Sequence, residues 1–173
     1  LLGHPMTVTV NFGDKAGRYY NGYVTRFAYG GIEGRYHSYR MTLRPWLWFL
    51  TRQSDCMVFQ AKTVPDIVKE VFEREPTKAI DEGAGGLSGA YAQWEYCVQY
   101  RETDFNFLSR LMEQEGIYYF FEHTEKEHKL VLVDSKDAHK PVERDQSGEG
   151  DESIAFVPGG VDNVRLPDWI AQW

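Results

Sequence analysis

Cysteine is nearly absent: Cys56 and Cys97 are the only two in 173 residues, and they form no C-x-x-C pair. That excludes a cysteine-based metal knuckle and a disulfide framework, and leaves two reduced thiols in a cytosolic protein as the expectation. Long apolar runs are absent too. The most apolar stretch, Trp46 to Leu50, is far short of the roughly 20 residues a membrane-spanning helix needs. No secretory leader is expected in the residues present. Leu1-Leu2-Gly3 passes at once into strand-like alternation, and the chain reads as an internal piece that stops at Trp173 within a strand. Basic excess is lacking: 19 Lys and Arg face 26 Asp and Glu, a net charge of −7, which favours solubility and argues against general nucleic-acid binding. Neither heptads nor an internal repeat is present. The charge is uneven, with seven basic and three acidic residues in 1–60 against twelve and twenty-three in 61–173. This polarity suits either orientation against a charged partner or sister subunit, or two ordinarily solvated surfaces.

What the chain does have is aromatic residues, 15% of the total, enough for a substantial core. Met6 to Val10 alternates with period two, Tyr19 to Tyr29 is a second β-rich run, and Gly30 to Gly34 is a glycine-rich hairpin loop. In the returning strand, Tyr36 to Leu43, the side chains of Tyr39, Met41 and Leu43 share one face, with Arg40, Thr42 and Arg44 on the other. Such short strands with tight turns predict a small antiparallel barrel, its end plugged by a helical turn over Trp46 to Leu50. Cys56 to Ala61 is extended. A helix follows, with Thr63 as its cap, Pro65 in its first turn and Asp66 at its positive end. Val64, Ile67, Val68, Val71 and Phe72 form its apolar face, and Glu70 with Arg74 an outward ion pair. Asp81 to Tyr91 reads as a flexible loop and Trp94 to Tyr100 as a strand. A second helix, Asp104 to Glu115, is capped by Thr103, stopped by Gly116, and turns Phe105, Leu108, Leu111 and Met112 inward. Ile117 to Glu122 and Leu130 to Val133 are strands joined by a charged turn, His123 to Lys129. The fold class is therefore α+β, mostly β: a small antiparallel barrel, an α+β segment with two amphipathic helices, and the start of a second barrel. The expected division is 1–61, 62–135, a polar linker 136–153, and 154–173.

No arrangement of catalytic groups emerges. His123 and His128 have the wrong spacing for H-E-x-x-H and sit in a Glu- and Lys-rich turn, which reads as a solvated one. His4, His37 and His139 are isolated. Gly86-Leu87-Ser88-Gly89-Ala90 misses the register of a nucleophile elbow. Gly30, Gly31 and Gly34 lie between strands with no Lys-Ser/Thr after them, so they form no phosphate loop. The strongest rival signal is a basic and aromatic stripe, Arg35, Tyr36, His37, Tyr39, Arg40, Arg44, Trp46 and Trp48, of the kind that stacks single-stranded bases or sugars on an open barrel. Strand alternation splits that stripe between two faces.

Four stretches carry a family likeness: Leu43 to Cys56 (LRPWLWFLTRQSDC), Phe59 to Phe72 around KTVPDIVKEVF, Glu95 to His123 (EYCVQYRETDFNFLSRLMEQEGIYYFFEH), and Leu130 to Ser135 (LVLVDS). In order and spacing they resemble the VgrG family of type VI secretion spike proteins, in the hub region similar to phage baseplate hub and late-control tail proteins. The resemblance implies the base of a homotrimeric spike, each subunit giving two small barrels to a ring that sits on the hexameric Hcp tube. It implies spike-tip and effector proteins as further partners, and contact with the target membrane only through a spike outside this segment. It implies assembly in the bacterial cytoplasm followed by injection, no enzyme activity, no cofactor, and no catalytic, cofactor or metal residues. Arg44-Pro45-Trp46 and Tyr100-Arg101-x-x-Asp104-Phe105 enter only as fold signatures, and the partner-facing residues stay unassigned. A phage or prophage tail hub is the alternative. A wall hydrolase, or a module for single-stranded nucleic acid or carbohydrate, ranks below both.

Overall fold

The alternation in the first 44 residues becomes a three-stranded antiparallel sheet of β1 (Pro5–Phe12), β2 (Lys15–Glu33) and β3 (Tyr36–Arg44), in that order. The structure, a computed structural model, describes residues 1–12, 15–76, 80–81 and 86–136. The expected start of a second barrel at 154–173, the linker after residue 136, and His139 lie outside them. No closed barrel forms among the described residues, since three strands are too few to close a sheet on itself. Strand β2 is longer than its sequence suggests. Gly30 and Gly31, expected in a hairpin loop, lie within it at a register shift between Tyr29 and Gly31. Gly31 takes φ 103° there, and such a bulge bends a strand without ending it. The reversal is the tighter turn at Gly34-Arg35.

Pro45 stops β3 and caps a 3-10 helix, Trp46–Arg52. Its Trp46, Leu47 and Leu50 are buried, so the expected barrel plug turns mainly into the core beside the two α-helices, while Phe49 meets the Tyr23 ring at 5.3 Å. β4 (Ser54–Lys62) pairs antiparallel with β6 (Trp94–Thr103). Helix α1 (Val64–Glu73) has a reciprocal cap: Asp66 N–H donates to Thr63 Oγ1, and Thr63 N–H donates to Asp66 Oδ2 at 3.1 Å. The Thr63 hydroxyl, which donates to the same Oδ2 at 2.6 Å, and then the Thr63 N–H hold the Asp66 carboxyl below its ordinary value. All five expected apolar positions of α1 are buried, and Glu70 meets Arg74 at 3.2 Å. Helix α2 (Asp104–Glu115) begins at Thr103, whose Oγ1 accepts from Asn106 N–H, and ends at Gly116 in the left-handed region, φ 72°. A third sheet runs β5-β8-β7, with β5 (Ile80–Asp81) parallel to β8 (His128–Val133), and β7 (Tyr118–His123) antiparallel to it. The two-residue β5 is too short for any periodicity to signal.

The core gathers Trp46, Leu50, Phe59, Ile67, Phe72, Phe107, Leu111 and Leu130. Trp46 sets its ring edge-on to Phe72 at 5.1 Å, and Phe59 stacks on Phe107 at 5.5 Å. Phe107 takes the place expected for Phe105, which is only half-buried. The reason lies at the start of α2. Asp104 is itself buried and accepts 2.7 Å from Gln99 Nε2. That polar anchor fixes the rotation of the helix so that 104, 107, 108 and 111 face inward.

Candidate functional site

The expected solvated turn at His123 and His128 is overturned. The turn proper is residues 124–127, and both histidines lie on strands that face β2. His128 is 5% exposed, and its Nε2 accepts the Trp46 backbone N–H at 3.0 Å. His123 is half-buried, and its Nδ1 accepts the Asn21 N–H at 3.0 Å. The rings sit 5.8 Å apart, with Tyr23 and Phe121 edge-on to His128. Burial first, and then the neighbouring His123, push His128 down to about 4, and burial lowers His123 as well. Long-range partners made these histidines structural, and sequence spacing carries no trace of such partners.

The expected flexible loop is also corrected for residues 86–91, which hang on one carboxylate. Asp134 accepts from Ser88 N–H at 2.7 Å, Ser88 Oγ at 3.0 Å, Gly89 N–H at 2.6 Å and Tyr91 Oη at 2.7 Å. Ser88 is thus a donor to Asp134. Burial, with the Asp134 charge behind it, raises the Tyr91 phenol well above its ordinary value, and the same hydrogen bonds hold Asp134 low. Asp134→Ala is expected to free this loop without unfolding the protein. Proteolysis within residues 86–91 should then quicken, and the Tyr91 phenol should titrate closer to 10. Unchanged cleavage and titration would count against the clamp.

The basic and aromatic stripe does not assemble on one face. Tyr39 stacks on Phe27 at 5.7 Å and meets Tyr29 at 5.5 Å. In the β2–β3 register, Phe27 is opposite Met41, and Tyr29 is opposite Tyr39. Arg40, opposite Ala28, belongs to the other side, with Arg26. Trp46 is buried, Arg44 and Arg52 lie over the Trp48 ring, Arg35 lies over Tyr36, and His37 bonds the Tyr29 hydroxyl. His4 is exposed, and its backbone bonds Leu1 and Val24. Gly30, Gly31 and Gly34 serve β2 and its turn. Cys97 is buried, which raises its thiol pKa, while Cys56 is exposed on β4. Among the described residues, no group of three or more His, Cys, Asp or Glu side chains could hold a metal ion, and no helix is long and apolar enough to cross a membrane.

What remains unaccounted for is apolar surface. Phe27, Tyr29, Tyr39 and Met41 are exposed on the β2–β3 ribbon, as are Val58, Tyr96, Val98 and Tyr100 on β4–β6. Exposed apolar faces of this kind mark surfaces for assembly. The family model of the phage tail baseplate hub (GPD) matches residues 1–172. The chain belongs to that family. Within it, the hub chain is 48% identical over all 173 residues to the type VI secretion system spike protein VgrG1c of Pseudomonas aeruginosa, and 49% identical to VgrG1b of the same organism. It is 34% identical over 141 residues to VgrG3 of Vibrio cholerae. It spans 22% of the length of the first two and 14% of the third. Among solved structures, it is similar to the Escherichia coli c3393 protein, with a TM-score of 0.64 and 25% identity over 71% of this chain and 35% of that one. That protein is described as a component of the type VI secretion system with structural similarity to the T4 bacteriophage tail proteins gp27 and gp5. Mostly antiparallel sheets joined to helices fit this hub fold.

Proposed function

We propose that the chain is a structural hub segment of a type VI secretion spike, at the base that joins the Hcp tube to the puncturing spike and helps deliver effectors. The observation that carries the reading is the 48% identity to VgrG1c over the full chain. The spike names of the relatives put a phage-tail role second. In this reading the protein is a homotrimer with the Hcp hexamer, spike-tip proteins and effectors as partners. It assembles in the cytoplasm and leaves by injection. Residues 1–61 belong to a first hub barrel, whose wall includes the β1–β3 sheet, 62–135 to the α+β segment, 136–153 to a linker, and 154–173 to a second barrel. The work is mechanical, so rigidity and large buried interfaces matter more than any reactive group, and no enzyme activity resides here.

A segment swap tests this. The hub chain replaces the matching residues of VgrG1c in Pseudomonas aeruginosa, and secretion of the chimaera and of the tube protein is measured. Retained secretion is the expected result. A stable, trimeric chimaera that no longer supports secretion would overturn the reading. A zymogram on cell-wall substrate should remain blank.

A further inference from the structure

We propose that His128 is an acid-released latch that fastens the β7–β8 hairpin to the 3-10 helix at Trp46. The geometry behind it is one hydrogen bond with no freedom of role. Trp46 is the first residue of that helix, and Pro45 before it supplies no side-chain cap. The leading N–H groups of a helix have no partner within it, and His128 Nε2 accepts this one from 82 residues away. A backbone N–H only donates. Nε2 must therefore hold a lone pair, and the ring proton of the neutral form sits on Nδ1.

His123 is built differently. Its Nδ1 accepts the Asn21 N–H, but Asn21 Oδ1 lies 3.3 Å from the same atom, so a proton arriving there has an acceptor at hand. The structure gives His128 Nε2 no second partner among the described residues. A proton on Nε2 would set two donors against each other at 3.0 Å and place a charge in a site that is 5% exposed. The surroundings do little to soften this. His123 faces the ring from β7, Arg18 acts on His123 from β2, and Tyr20 and Tyr23 pack against the pair from β2. Among the described residues, the acid that acts on His128 is Glu127, in the turn beside it. A cleft of about 430 Å³, lined by Asn21, Tyr23, Lys126, Glu127 and His128 among others, gives water and protons access to the seam and leaves a released ring room to turn.

The sign follows from the burial. His128 is held at about 4 in the fold, below its ordinary value near 6.5. The latch is fully closed above that ordinary value and weakens as pH falls towards 4, because the open form takes up a proton that the closed form refuses. One proton per opening means about a tenfold loss of protection for each pH unit across that window.

The test combines amide hydrogen exchange at Trp46, expressed as protection factors, with ¹⁵N spectra of the imidazole rings. The wild type should show the tenfold slope, and His128→Gln should abolish it, since its Oε1 can accept the same N–H but cannot titrate. His123→Asn should keep the slope. A flat wild-type profile would overturn the proposal, as would a slope that survives in His128→Gln or vanishes in His123→Asn. Should His128→Gln fail to fold, the wild-type ring spectrum decides: a neutral-pH His128 with its proton on Nε2 rules the latch out, and one on Nδ1 that gains a second proton as the Trp46 amide loses protection upholds it.

Discussion

Trp46→Ala is expected to lower the free energy of unfolding by about 3–5 kcal/mol, the range for deleting a large buried aromatic ring. The side chain is fully buried, edge-on to Phe72, in the core shared by the 3-10 helix and both α-helices. No nearby group can move in to fill the space without giving up contacts of its own. The loss should appear in chemical denaturation as a lower midpoint with an unchanged slope. The backbone N–H that bonds His128 survives in the alanine variant, so the effect reads packing and not the latch. A loss below about 1 kcal/mol, well under the range expected for a core aromatic, would mean that the ring is not where the structure puts it.

The second large effect separates two neighbouring phenylalanines. Phe107→Ala should cost about 3–5 kcal/mol, because its ring is fully buried and stacked on Phe59. Phe105→Ala should cost roughly 1 kcal/mol, the typical figure for a point substitution, because its ring only flanks the core. Equal losses at the two sites would restore the face that helical periodicity alone suggests. The pair thus decides which face of α2 packs into the core.

Local features were legible in the sequence. Thr63 with Asp66, Pro65, the five apolar positions of α1, and Thr103 with Gly116 around α2 are all written within one or two helical turns, and propensity and capping act at that range. The two fold signatures now have physical roles. In Arg44-Pro45-Trp46, proline ends a strand and tryptophan enters the core. In Tyr100-Arg101-x-x-Asp104, the aspartate anchors a helix to Gln99. What escaped the sequence is what long-range partners decide. His128 and His123 look like members of a charged turn until Trp46 and Asn21 arrive from 82 and 102 residues away. Residues 86–91 look loose until Asp134 is placed beneath them. The register shift at Tyr29 to Gly31 reads in sequence as a loop, since glycines mark bulges and turns alike.

The strand leading into α2 has one more consequence. Asp55 pairs with Glu102, but the next residue, Cys56, pairs with Tyr100, leaving Arg101 as an unmatched extra residue in the left-handed region, φ 52°. This single residue shifts the phase of the chain between an alternating strand, where Cys97 and Gln99 point inward and Val98 and Tyr100 outward, and the helix that begins at Asp104. The number of residues from Gln99 to Asp104 is therefore fixed: dropping one would turn the buried carboxylate away from its glutamine and swing the whole inner face of α2 by about a hundred degrees. The turn at 124–127 keeps its own length by different means: Thr124 N–H donates to the Glu127 carbonyl at 2.9 Å, and Thr124 Oγ1 accepts from the Lys126 and Glu127 N–H groups.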